Sequence, residues 1–367
     1  MNKPFSVYLD LVRFTAACLV YLYHSNQRWL TTDILPASNF GHSSVIVFFV
    51  LSGFVIAYIT DKKERQFATY AASRLSRVYS VAIPAILLTV LLDAVGRHLL
   101  PGIYSYPFDN FLLRVGASTL LLNEVWFVSV TSFSNVPYWS ICYEMWYYVS
   151  FGLVMFLPKR FALLSVAMLM VILGPKIVLL APIWVLGVVL HRWDALPKLP
   201  AATSWLLLFF STAGILAFHY FKVSEWATDL LKGVIGAKWH TELTFSKFFV
   251  GDYLLGILVF VNFAAMRTCS PTLAPAILVF ERPIRFLAGY TLSLYLLHQP
   301  LFLFWGAVLR GDPNGEAFWW LTTGLVAVSV FAVGQLTETR RHLLKTFLEE
   351  KLVRLETYVR QNYASQR

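Results

Sequence analysis

Apolar residues run along the chain in long blocks separated by short polar stretches. Ten blocks, at about 6–25, 41–60, 79–100, 138–157, 160–174, 177–191, 203–221, 245–265, 285–309 and 317–337, are mostly apolar on all sides. A bilayer core of ~30 Å takes ~20 such residues per helix. The pattern predicts an all-α polytopic membrane protein with about ten transmembrane helices. The pair within 160–191 is short and also reads as one helical hairpin. The longest connection is 101–137, whose apolar part at 110–122 is broken by Arg114. Near residue 340 the pattern changes. Leu343, Leu344, Phe347, Leu348, Leu352 and Leu355 form a single stripe with basic residues beside it. This divides the chain into a membrane domain, 1–340, and a basic amphipathic tail, 341–367, suited to an anionic lipid surface.

Composition sharpens the class. Of 367 residues, 58% are hydrophobic and 14% charged, where soluble domains carry ~25% charged residues. That coat is too thin for an ordinary soluble enzyme, and the apolar content excludes a disordered chain. Three cysteines, Cys18, Cys142 and Cys269, are too few and too far apart for a disulfide scaffold or a metal site. The net charge of +10 would suggest nucleic acid in a soluble protein. Here the basic residues sort by loop. Lys62, Lys63, Arg65, Arg74 and Arg77 share one connection, and Arg340, Arg341, Lys345, Lys351 and Arg354 crowd the tail, whereas 26–40 holds only Arg28. The positive-inside bias, with an even number of spans, puts both termini in the cytoplasm of a multi-pass inner-membrane protein. No nucleic-acid partner is expected; the lipid bilayer is.

Ionisable residues inside the spans point to a polar interior. A charge in the bilayer core costs at least ~2.5–3.5 kcal/mol, so it faces a cavity or a partner. Arg13 and His24 lie in the first span, Asp93 in the third, Glu144 in the fourth, Asp252 in the eighth and His298 in the ninth. Asp10, Asp93 and Asp252 sit near span ends, where pairing for packing is the plainer reading. Arg13 and His24, eleven residues apart, differ by ~20° around a helix and ~16 Å along it, and so share one face at different depths. Imidazole takes a proton near neutral pH, and guanidinium keeps its charge and grips anions. Arg74 and Arg77 sit three apart at the cytoplasmic mouth of the third span; both ordinary anchoring and a phosphate-rich ligand fit that spacing. Ser52, Ser140 and Ser293 have no nucleophile-elbow context and read as packing or hydrogen-bonding serines. His42 reads as an interfacial or loop residue.

Five segments in order resemble the membrane-bound acyltransferase family 3, which includes O-acetyltransferases of bacterial surface polysaccharides. YLDLVRFTAACLVYLYH carries the Arg, ten residues, His pattern through Arg13 and His24. FFVLSGFVIAY holds Ser52 and Gly53, and RLSRVYS supplies Arg-x-x-Arg. YWSICYEMWYYVSF keeps Trp139, Ser140 and Glu144, and GYTLSLYLLHQP holds Tyr295 and His298. Where relatives often end in Glu-x-Pro, this chain reads Glu338-Thr339-Arg340. The resemblance implies transfer of an acyl group, most often acetyl, from cytoplasmic acyl-CoA to a hydroxyl of an exported or cell-surface glycan, with no metal. It implies His24 as general base with Glu144 orienting it or holding its proton. Arg74, Arg77 and Arg13 would bind the CoA donor, and Ser52, Tyr295 and His298 would line the acceptor or acyl path. A transporter of a polar solute or glycan is the competing reading of intramembrane charge.

Overall fold

In the computed structural model, residues 1–29, 40–312 and 315–365 are described. The described residues form fifteen α-helices and short 3-10 turns. The first seven are α1 (Lys3–Trp29), α2 (Phe40–Lys63), α3 (Phe67–Leu99), α4 (Phe111–Thr119), α5 (Trp139–Phe156), α6 (Lys159–Leu173) and α7 (Pro175–Arg192). Then come α8 (Ala201–Tyr220), α9 (Val223–Glu242), α10 (Phe249–Cys269), α11 (Ala274–Val279), α12 (Glu281–Ala288), α13 (Thr291–Leu309), α14 (Glu316–Leu336) and α15 (Arg341–Ser365). Among them, eight segments are long and apolar enough to cross a membrane, two fewer than the apolar blocks suggest. The difference lies in α5 and α6. α6 is only 15 residues long, and α5 is rich in Tyr and Trp, whose polar tips lower its hydropathy.

Each helix sits where its residues dictate. α2 is apolar all round and lies at the centre, with Ile46, Val50, Phe54 and Ala57 buried. It presses against α7 with no side chain between them at one point: a methyl at Gly53 would stand 2.0 Å from the Trp184 carbonyl oxygen, and one at Gly187 would stand 2.0 Å from that of Val50. α5 adds an aromatic core of Tyr143, Tyr147 and Tyr148. Outward, Leu163, Val171, Phe209, Phe210, Leu216 and Val328 are all more than half exposed. A soluble protein would hide such residues, whereas lipid accepts them.

α3 has 33 residues, about 50 Å at 1.5 Å per residue, longer than the hydrocarbon core is thick. Its outgrowing end carries Arg74 and Arg77 and receives the tail. α15 packs along it, with Thr69 Oγ1 donating to Glu349 at 2.7 Å and the Ala68 amide donating to Glu356 at 3.1 Å. Leu344, Leu348 and Leu352 turn toward the protein, while Leu343, Phe347 and Leu355 stay exposed. The tail stripe is thus shared between α3 and the surroundings. The connection at 222–244 holds α9, with Trp226, Leu230 and Val234 exposed.

Candidate active site

A cavity of about 370 Å³ opens between α1, α2, α3, α5, α12, α13 and the turn into α15. Four guanidinium groups line it: Arg13, Arg77, Arg285 and Arg341. Three carboxylates oppose them: Asp10, Glu144 and Glu338. Arg13 lies 3.7 Å from Asp10, and Arg285 donates to the same carboxylate at 2.9 Å. The Arg13 Nε is buried with no hydrogen-bond partner among the described residues.

The far wall of the cavity is a fixed polar network. Ser52 Oγ donates to Glu144 at 2.7 Å, and Tyr148, one helical turn from Glu144, donates its hydroxyl to the same carboxylate oxygen. Trp184 Nε1 donates to Ser52 Oγ at 3.3 Å. The glycine contact beside Ser52 and Trp184 is what brings α2 and α7 close enough for this bond. Across the cavity, the Tyr295 hydroxyl lies 2.7 Å from Ser140 Oγ and donates to the Pro137 carbonyl at 3.1 Å.

Glu338 holds the start of α13. Its carboxylate accepts from the amides of Leu292 and Ser293, at 3.3 and 2.9 Å, and from Ser293 Oγ at 2.8 Å. A carboxylate at a helix N-terminus satisfies orphan amides and meets the positive end of the helix dipole. Further along, Pro300 supplies no amide to the Leu296 carbonyl. Asn135 Nδ2 takes that place at 2.7 Å. One turn beyond Tyr295, His298 is fully buried, and its ring centre lies 5.2 Å from that of His24. His24 is itself half-buried near the end of α1.

Arg13, Arg77, Ser52, Glu144 and Tyr295 therefore meet around one cavity, and His24 meets His298 beyond it. Arg74 does not join them. Residues three apart on a helix point ~60° apart, and Arg74 forms a buried ion pair with Glu64, with its guanidinium 5.0 Å from the Tyr70 ring. Glu64 lies in the short link between α2 and α3, and the fold of that link brings it under the first turns of α3. The predicted pair of phosphate-gripping arginines is thus one cavity residue and one structural residue.

Sequence reasoning missed Arg285 and Arg341 as cavity residues, because α12 and the turn into α15 become neighbours of α1 only in the fold. It also misplaced His42. That ring is buried, lies 2.9 Å from Asp252 and stacks on Trp139 at 5.9 Å. Its neighbours Ser43 and Ser44 hid its burial in a polar-looking stretch. The Asp252 partnership agrees with the packing reading.

The arginine difference gives a first expected result. Arg74→Gln lowers the melting temperature of the unliganded protein, because it leaves Glu64 buried without its counter-charge. Arg77→Gln leaves the fold close to wild type and weakens anion binding in the cavity. Thermal unfolding with and without ligand separates the two, and equal behaviour of both variants would refute the division.

The model of the family described as "Acyltransferase domain" matches residues 6–337. Among curated proteins, Acyltransferase MdmB of Streptomyces mycarofaciens is 28% identical over 151 residues. The match covers 39% of this chain and 37% of that protein, little more than a third of the relative's length. No solved structure matches.

Proposed function

This chain belongs to the acyltransferase-domain family and is a multi-pass membrane acyltransferase, and on that premise we propose that it moves an acyl group, most often acetyl, from cytoplasmic acyl-CoA to a hydroxyl of an exported or cell-surface glycan. In this reading it resides in the inner membrane with both termini cytoplasmic. The observation that carries the donor assignment is the cavity with four guanidiniums beneath a Ser52–Glu144–Tyr148 network. Forked donors suit phosphates, and the donor carries several. Arg77, Arg285 and Arg341 hold these phosphates, and Arg13 lies along the arm that leads to the thioester.

His24 takes the proton of the acceptor hydroxyl. In net terms the acyl carbon exchanges its C–S bond for a bond to the hydroxyl oxygen, and CoA leaves as its thiolate. Glu144 fixes Ser52 and Tyr148 and supplies negative charge opposite Arg77. Family membership replaces the transporter reading.

Two measurements test the reading. Mass spectrometry of surface glycans from cells carrying wild type or His24→Ala should show ester content falling by ~10²–10⁴-fold in transfer rate, the usual range for loss of a general base. Unchanged esters, with the variant still in the membrane, would remove His24 from the chemistry. Acetyl-CoA should raise the melting temperature of the purified protein, since it binds only the folded state; no rise would exclude it as donor.

A further inference from the structure

His298 is the most deeply buried imidazole near the site, and its tautomer can be read from its neighbours. Nδ1 lies 2.8 Å from the Tyr295 carbonyl oxygen and 3.1 Å from that of Leu294. Carbonyl oxygens only accept, so Nδ1 carries the hydrogen and donates. A neutral imidazole then has its lone pair on Nε2. That atom is buried and has no hydrogen-bond partner among the described residues. A buried, unpartnered acceptor is costly and calls for an explanation. Here it lies in the ring facing His24 at 5.2 Å and one turn beyond Tyr295, which lines the donor cavity.

We propose that His298 Nε2 is a nucleophile that carries the acyl group between donor and acceptor, an inference that rests on the acyl-CoA reading above. The Nε2 lone pair attacks the thioester carbon, the C–S bond breaks, and CoA leaves as its thiolate with the electron pair. Nδ1 keeps its hydrogen, so the ring becomes an acylimidazolium whose N–H is held by the two carbonyl oxygens. In the second half, the acceptor oxygen attacks the acyl carbon, the C–N bond breaks, the pair returns to Nε2, and His24 takes the hydroxyl proton. The division follows burial. A base must pass its proton to water, and the half-buried His24 is placed for that. A nucleophile that keeps its own hydrogen needs no such exit, and a dry site protects an acylimidazole from hydrolysis.

The test uses the full-length protein in lipid nanodiscs, labelled CoA and unlabelled acetyl-CoA, with no acceptor. Wild type should exchange label between the two. His298→Asn keeps an amide donor for the Leu294 and Tyr295 carbonyls but removes the Nε2 lone pair. It should lose exchange to background while acetyl-CoA still raises its melting temperature. Acid-quenched wild type should carry acetyl on the peptide containing His298. Exchange that persists in His298→Asn, acetyl on another residue, or wild type that transfers to an acceptor without exchanging would each overturn the proposal. Wild type that neither transfers nor exchanges would overturn the acyl-CoA reading with it.

Discussion

Lys176→Met should cost about 3–5 kcal/mol of stability and strip the membrane of most folded protein, the expected effect of leaving one buried charge without its partner. Lys176 Nζ donates to Glu124 at 2.6 Å and to the Val128 carbonyl at 2.8 Å. The two side chains are 0% and 1% exposed, so water cannot replace the lost contact. Ser129 donates a further bond to Glu124 at 2.6 Å. Burial pushes the Glu124 carboxyl above its ordinary range, and the charge of Lys176 pulls it back. Removing Lys176 leaves burial opposed only by the neutral hydroxyls of Ser129 and Thr244. Lys176→Met with Glu124→Leu should recover part of the loss, because two apolar groups strand no charge. Thermal unfolding of both singles and the double closes the cycle. A Lys176→Met protein that melts with wild type would show that the pair bears no such weight.

Gly53→Ala should reach catalysis as well as stability. The added methyl would stand 2.0 Å from the Trp184 carbonyl oxygen. Backbone cannot swing aside as a side chain can, so α2 and α7 must part by more than ~1 Å. Overpacking of this kind typically costs ~1–3 kcal/mol. The separation pulls Ser52 from Trp184 and so loosens the network that holds Glu144. Specific activity per folded molecule should therefore fall, along with the melting temperature. Gly187→Ala strains the same seam, and combining the two should cost less than their sum, since one widening relieves both. Strict additivity would argue that the two contacts are independent.

Much of this architecture was legible in the chain. Long apolar blocks gave the helices, because lipid selects for length and hydropathy together. Arg13 and Glu144 stand out as charges in apolar blocks, Ser52 and Tyr295 through the family motifs, and all four line one cavity. What was illegible depended on neighbours distant in sequence. Arg74 and Arg77 look alike at three-residue spacing, and only the position of Glu64 separates them. Glu338 drew notice for lacking a following proline, whereas its work is to hold the start of α13, 45 residues upstream. Lys176 sat at the edge of an apolar block and Glu124 in a loop, so neither looked buried. The apolar block 138–157 predicts a span, and the tyrosines of α5 turn out to build the interior.

The cavity is walled by residues far apart in sequence, with Asp10 and Arg13 on one side and Glu338, Thr339 and Arg341 on the other. More than 300 residues of synthesis separate these walls. A nascent chain thus carries part of the cavity wall long before the segment at 338–341 completes it. A chain that stops before residue 338 lacks this wall of the cavity altogether.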